Sequence, residues 1–132
     1  MRWLFTFICL GFLSAEVLAD DGLTPSPTLL QLLADPARYH DRWVVVLGYC
    51  RLEFEGLAIY LHKEDYTQGL GNMVWLDLER KDITPVRKQI SYCLVAGTYS
   101  AKNRGHKGMF SGAIEQITRY ESWPPSSSRE RR

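Results

Sequence analysis

The chain has 132 residues, 45% hydrophobic and 23% charged, a composition that fits one globular domain and excludes disordered and collagen-like classes. Sixteen lysines and arginines against 15 acids leave a net charge of +1, which offers no bulk attraction to nucleic acid or to an anionic membrane.

Met1-Arg2 is a short positive start, Trp3 to Leu13 an apolar run, and Val17-Leu18-Ala19 a small-residue cleavage signal. That order is the grammar of a secretory leader, and the apolar run is short for a membrane span. Residues 1–19 are therefore expected to be a signal peptide cut after Ala19, placing the mature chain in the periplasm or outside the cell. An uncleaved N-terminal anchor is the alternative. Of the three cysteines, Cys9 leaves with the leader, while Cys50 and Cys93 remain as an even pair in an oxidising compartment.

Ser26-Pro27 offers a cap and a proline at the first helical position, followed by Leu29, Leu30, Leu32 and Leu33 as the apolar face of a short helix ending near Ala34. Trp43 to Leu52, rich in valine, reads as the first strand, and Glu53 to Gly56 as a turn. Leu57 to His62 is the second strand, with Leu57, Ile59 and Leu61 on one face and Ala58, Tyr60 and His62 on the other. A polar loop, Lys63 to Asn72, precedes a third strand, Met73 to Leu78, in which Val74, Leu76 and Leu78 alternate with Met73, Trp75 and Asp77. Pro85 to Gln89 reads as a short turn, Ser91 to Ser100 as the fourth strand with Gly97 at a bend or bulge, and Ala113 to Tyr120 as the fifth. Residues 121–132 read as a frayed tail.

Five short strands without room for crossover helices predict an all-β fold: a five-stranded OB-fold-like barrel over residues 20–120, with a short N-terminal helix and a short turn between strands three and four. The stretch "LLQLLADPARYHDRWVVVLGYCRLEFEGLAIYL" resembles small exported bacterial OB-fold proteins of the anticodon-binding-like group, which carry an N-P-x-x-Y-x-G-K-x-V-x-V-x-G pattern. Asp35-Pro36, Tyr39, Val44, Val46 and Gly48 match it, whereas His40-Asp41-Arg42 departs from the glycine-lysine pair and implies a different turn before the first strand. "EFEG", "EDY" and "KNRGHKGMFSG" extend the resemblance over most of residues 28–119. It implies a fold more firmly than an activity, since OB-folds host many unrelated functions.

If the alternating aliphatics fill the barrel, Tyr60, His62, Trp75 and Asp77 look outward on strands two and three, the usual OB ligand face. Lys102, Arg104 and His106 in the loop "KNRGHKGMFSG" would form its rim. The alternative is that the N-terminal helix or the tail covers those aromatics. Glu53, Glu55, Glu64 and Asp65 beside the groove argue against single-stranded nucleic acid. The three histidines show no metal-ligand spacing, so no metal or other cofactor is expected. The loop lacks the spacing of a phosphate cradle and leads into a strand rather than a helix. Its cations would face Glu53 and Glu55 at one pole, with Phe54 and Phe110 closing the barrel end.

The reading is a monomeric periplasmic binding module for a protein or small envelope ligand, without stable membrane insertion after leader cleavage. A small envelope hydrolase using Glu53 or Glu55 with His106 is the alternative. Cys50 and Cys93 fall on the inward sides of strands that pair in such a barrel. They are expected either to form a disulfide or to remain buried thiols.

Overall fold

The structure, a computed structural model, describes residues 26–53, 56–78 and 89–124. The expected leader, Phe54, Glu55, the turn at Pro85 (apart from Gln89) and the tail beyond Pro124 lie outside the described residues.

Helix α1 (Leu29–Ala34) is capped by Thr28, two residues later than expected. The Thr28 hydroxyl accepts from the Gln31 N–H at 3.3 Å, and the Gln31 side chain accepts from the Thr28 N–H at 2.8 Å, a reciprocal capping box. Ser26 instead serves the sheet, where its hydroxyl donates to the Val45 carbonyl at 2.8 Å and accepts from the Val45 N–H at 2.5 Å. Leu29 and Leu32 are buried in the barrel core, whereas Leu30 is exposed. Asp35-Pro36 ends the helix, and a 3-10 turn over Pro36–Tyr39 delivers the chain to β1 (Arg42–Leu52).

Asp41 holds the corner before β1 with φ 60°, the left-handed conformation. It stands where the resembling pattern has glycine, and aspartate is among the few other residues that tolerate this conformation. Its N–H donates to the Tyr99 carbonyl at 2.8 Å, and the neighbouring His40 Nδ1 accepts from the Ala101 N–H at 3.3 Å. The departure at His40-Asp41 thus keeps the backbone shape that glycine would give.

The remaining strands are β2 (Ala58–Tyr60), β3 (Met73–Leu76), β4 (Gln89–Ser100) and β5 (Ala113–Ser122). They close into one barrel in the order β1-β2-β3-β5-β4, with β3 and β5 parallel and the other neighbours antiparallel. This is the all-β, OB-like barrel with a short N-terminal helix that the pattern predicts. β5 continues to Ser122, two residues into the segment read as tail. The loop expected over Lys63 to Asn72 contains a helix, α2 (Lys63–Gln68), closed by Gly69 in the left-handed conformation.

Inward side chains from all five strands build the core, with Val44, Val46, Ile59, Val74, Leu76, Val95, Tyr99 and Ile114 at 0–1% exposure. Gly97 sits opposite Val44 and marks the bulge: β5 advances from Glu115 to Arg119 while β4 advances only from Thr98 to Ala96. A Cβ at Gly97 would stand 2.6 Å from the Glu115 carbonyl oxygen, so the strands approach too closely there for any side chain. Cys50 and Cys93 lie diagonally across β1 and β4, fully buried, at disulfide distance with Cα atoms 5.7 Å apart.

Candidate functional site

The outer face of β2 and β3 carries Ala58, Tyr60, Met73 and Trp75 as the alternation requires, but much of it is covered. α2 lays Tyr66 over it, and the rings form a ladder from β4 to β2: Tyr92–Tyr49 at 5.3 Å, Tyr49–Tyr66 at 6.0 Å and Tyr66–Tyr60 at 5.5 Å. The Arg51 guanidinium lies 5.4 Å from the Tyr66 ring centroid. Tyr60 is left 8% exposed, so it points outward as expected yet presents almost no stacking surface. Over Tyr60 the cover among the described residues is α2 rather than the N-terminal helix. Burial of the Tyr49 ring, with Tyr66 and Tyr92 next to it, pushes its phenol above the ordinary value.

α2 is held over this face by one buried carboxylate. Asp65 accepts the His62 N–H at 2.8 Å and the Asn72 side-chain amide at 2.7 Å, while its carbonyl accepts the Leu70 N–H at 2.8 Å. His62, expected as a ligand-binding group, is exposed at the entrance to α2, with its Nδ1 3.5 Å from Asp65. Asp77 is exposed just beyond β3, its N–H bonded to the Ile114 carbonyl at 3.0 Å.

The second cover is the loop that follows β4. Asn103 organises it, donating its side-chain amide to Glu115 at 2.8 Å and accepting the Gly105 N–H at 2.9 Å. Gly105 has φ +60°, and a Cβ there would lie 2.6 Å from Trp75 Cγ and 2.8 Å from the Phe110 ring. Phe110, buried, then packs on Trp75 with ring centroids 5.1 Å apart. Arg104 Nε donates to the Phe110 carbonyl at 3.0 Å, so this cation holds the loop's own backbone. Lys102 and His106 are exposed, the latter opening the 3-10 turn His106–Gly108. Glu53 receives the Arg51 guanidinium rather than the expected Lys102, Arg104 or Lys107. The structure therefore brings Trp75 and Arg104 together through Phe110, and leaves His62, Asp77, Lys102 and His106 as exposed rim groups around a filled face.

The exposed apolar surface lies on the opposite side of the tyrosine ladder. On β1, Trp43, Val45 and Leu47 point outward; across from them on β4 stand Thr98, Ala96 and Leu94, with Tyr92 beside Leu94. The Trp123 N–H donates to the Tyr92 carbonyl at 2.8 Å, which places Trp123 opposite Tyr92 just beyond the end of β5. Trp43 is 61% exposed, Leu47 44%, Trp123 43% and Tyr92 39%. Those fractions, applied to side chains of roughly 200 Å², give about 400 Å² of exposed apolar area, the size of the largest apolar patch on a typical monomer, which is often functional. On β5, Arg119 and Glu121 stand directly across from Ala96 and Leu94 and neutralise each other through two hydrogen bonds of 2.7 and 2.8 Å. That pairing raises the guanidinium and lowers the carboxyl from their ordinary values.

No family model, curated protein or solved structure matches the chain.

The site must therefore be read from geometry alone. Among the described residues, no group of three histidine, cysteine or acidic side chains is placed to hold a metal ion, and no helix is long and apolar enough to cross a membrane. The exposed Trp43, Leu47, Tyr92 and Trp123 are not among the site residues that the sequence pattern singles out. Their signal was present: the run "WVVVL" is apolar on both faces of a strand, and an antiparallel strand with a solvated face should alternate.

Proposed function

We propose that this chain is an exported OB-like binding module without catalytic machinery of its own, acting in the bacterial periplasm on a protein partner. The leader-like residues 1–19 and the buried cysteine pair at disulfide distance support an oxidising compartment outside the cytoplasm. One observation carries the binding role: Trp43, Leu47 and Tyr92 are exposed on the outer face of β1 and β4, with half-buried Val45 and Leu94 between them and exposed Trp123 opposite Tyr92. The face of β2 and β3, with its exposed rim of His62, Asp77, Lys102 and His106, borders rather than forms this surface. A band of aromatic and aliphatic side chains with few charges has the composition of an interface core.

A photo-crosslinking amino acid at Leu47 or Leu94 in the exported protein tests this in the native envelope. The expected result is one dominant adduct from both positions, none from exposed Thr118 on β5, and loss of the Leu94 adduct in a Leu47→Glu variant. Equal labelling from Thr118, or none from Leu47 and Leu94, refutes the assignment. An adduct of twice the chain's mass would make the partner a second copy and overturn the monomer.

A further inference from the structure

A pocket of about 530 Å³ opens between the N-terminal turn and the start of β1, lined by Thr28, Gln31, Arg38, Tyr39, Arg42 and Trp43 among others. This volume is within the range of small-molecule sites. The neutral polar groups around it are already engaged: Ser26 on Val45, and Thr28 and Gln31 on each other. The two guanidinium groups are not. Among the described residues, no carboxylate pairs with Arg38 or Arg42. The acids adjacent in sequence are directed elsewhere: Asp35 accepts the Arg38 backbone N–H at 3.4 Å, and Asp41 lies 3.5 Å from His40. The Arg38 guanidinium carbon lies 5.7 Å from the Tyr39 ring centroid, and the side chain is exposed. Trp43 adds a large exposed ring at the mouth.

Two unmatched, permanently charged forks beside two aromatic rings select an anion that carries a flat or apolar body. We propose that this pocket binds a small acidic molecule, with its carboxylate or phosphate held by Arg38 and Arg42 and its body laid on Trp43 and Tyr39. The site shares Trp43 with the partner surface on β1 and β4, while Arg38, Tyr39 and Arg42 lie outside that surface.

The test titrates the purified exported protein with benzoate, phenyl phosphate and neutral benzamide, following the Trp43 indole and arginine Nε resonances. At least one anion is expected to give saturable shifts at Trp43, Arg38 and Arg42, and benzamide to bind at least tenfold more weakly, as expected for losing hydrogen bonds to a charged group. Which anion binds identifies the head group as carboxylate or phosphate. Arg38→Gln and Arg42→Gln, both at exposed positions, should each weaken the anion at least tenfold, while Lys107→Gln leaves it unchanged. Equal binding of benzamide, unchanged affinity in both arginine variants, or no saturable shift with either anion overturns the assignment. Crosslinking from Leu47 should persist in Arg38→Gln, so failure here and failure of the partner surface are read separately.

Discussion

Joining Cys50 to Cys93 ties together the two strands with the longest shared register, running from Arg42 opposite Tyr99 to Leu52 opposite Gln89. The residues are 43 apart in sequence, and the segment between them contains β2, α2 and β3. Closing a loop of that length removes unfolded-state entropy worth about 4 kcal/mol at 25 °C. A domain of this size has a total stability of about 5–15 kcal/mol, so the cross-link would account for a large share of it. Reduction leaves the buried packing of both sulfur atoms nearly intact, so it isolates the cross-link better than substitution does. At roughly 4–8 °C per kcal/mol for a domain near 100 residues, adding reductant should lower the melting temperature by about 15–30 °C. The assay is a thermal melt followed by circular dichroism with and without reductant, alongside intact mass after alkylation in denaturant. A Cys50→Ala/Cys93→Ala double variant should melt at or below the reduced protein and ignore reductant. Two alkylated thiols in the unreduced, unfolded chain, or a melting temperature that reductant does not move, would refute the reasoning.

Other outcomes follow from local geometry. Asp41→Gly should stabilise by about 0.5–1 kcal/mol in urea denaturation, because φ 60° costs aspartate more than glycine; a loss of stability would mean that the Asp41 carboxylate matters more than its backbone. Gly105→Ala should cost about 1–3 kcal/mol and shift Trp75 fluorescence, since its Cβ would collide with Trp75 and Phe110 at a positive φ; unchanged fluorescence refutes that packing. Burial pushes the Tyr99 and Tyr120 phenols from 10.0 up to about 12. The fold thus favours their neutral forms, and their contribution is complete below pH 10 and lost as pH rises through 12. Denaturation midpoints from pH 8 to 11.5 should be flat and then fall, with a smaller fall in Tyr120→Phe. That variant should be neutral or stabilising at pH 7, because the Tyr120 hydroxyl is buried without a hydrogen-bond partner among the described residues, whereas Tyr99 donates to the Ser111 carbonyl at 2.9 Å.

The barrel was legible because its signals are periodic. Ile59, Val74 and Leu76 announce an inward face by alternation, the valines of β1 announce a strand by composition, and Gly97 announces a bulge by having no side chain in a strand interior. The candidate site was less legible because coverage is a tertiary property. Tyr60 points outward as the pattern says, but whether an outward ring meets solvent depends on what folds over it. Part of that answer is local: Asp65 three residues after His62, then Gly69, bracket α2 as a helix start and stop. The rest was non-local, since nothing near Phe110 in the sequence shows that it packs on Trp75.

That non-local cover decides where a partner can dock. An OB-like barrel has a limited outer surface, and apolar side chains pointing outward on two adjoining faces must be covered or remain available. Tyr66 and Phe110 resolve one face from within the chain, and the tyrosine ladder stops at Tyr92, the last ring before the open band of β1 and β4. The band is thus the part of a continuous apolar belt for which the described chain supplies no cover. Tyr66→Ala separates the two halves of this argument. It should uncover Tyr60, detectable as faster nitration of that ring than in the parent protein, where it is 8% exposed, while leaving the Leu47 crosslink in place. If the Leu47 crosslink instead moves to β2 and β3 in that variant, then α2, rather than the band, determines where the partner sits.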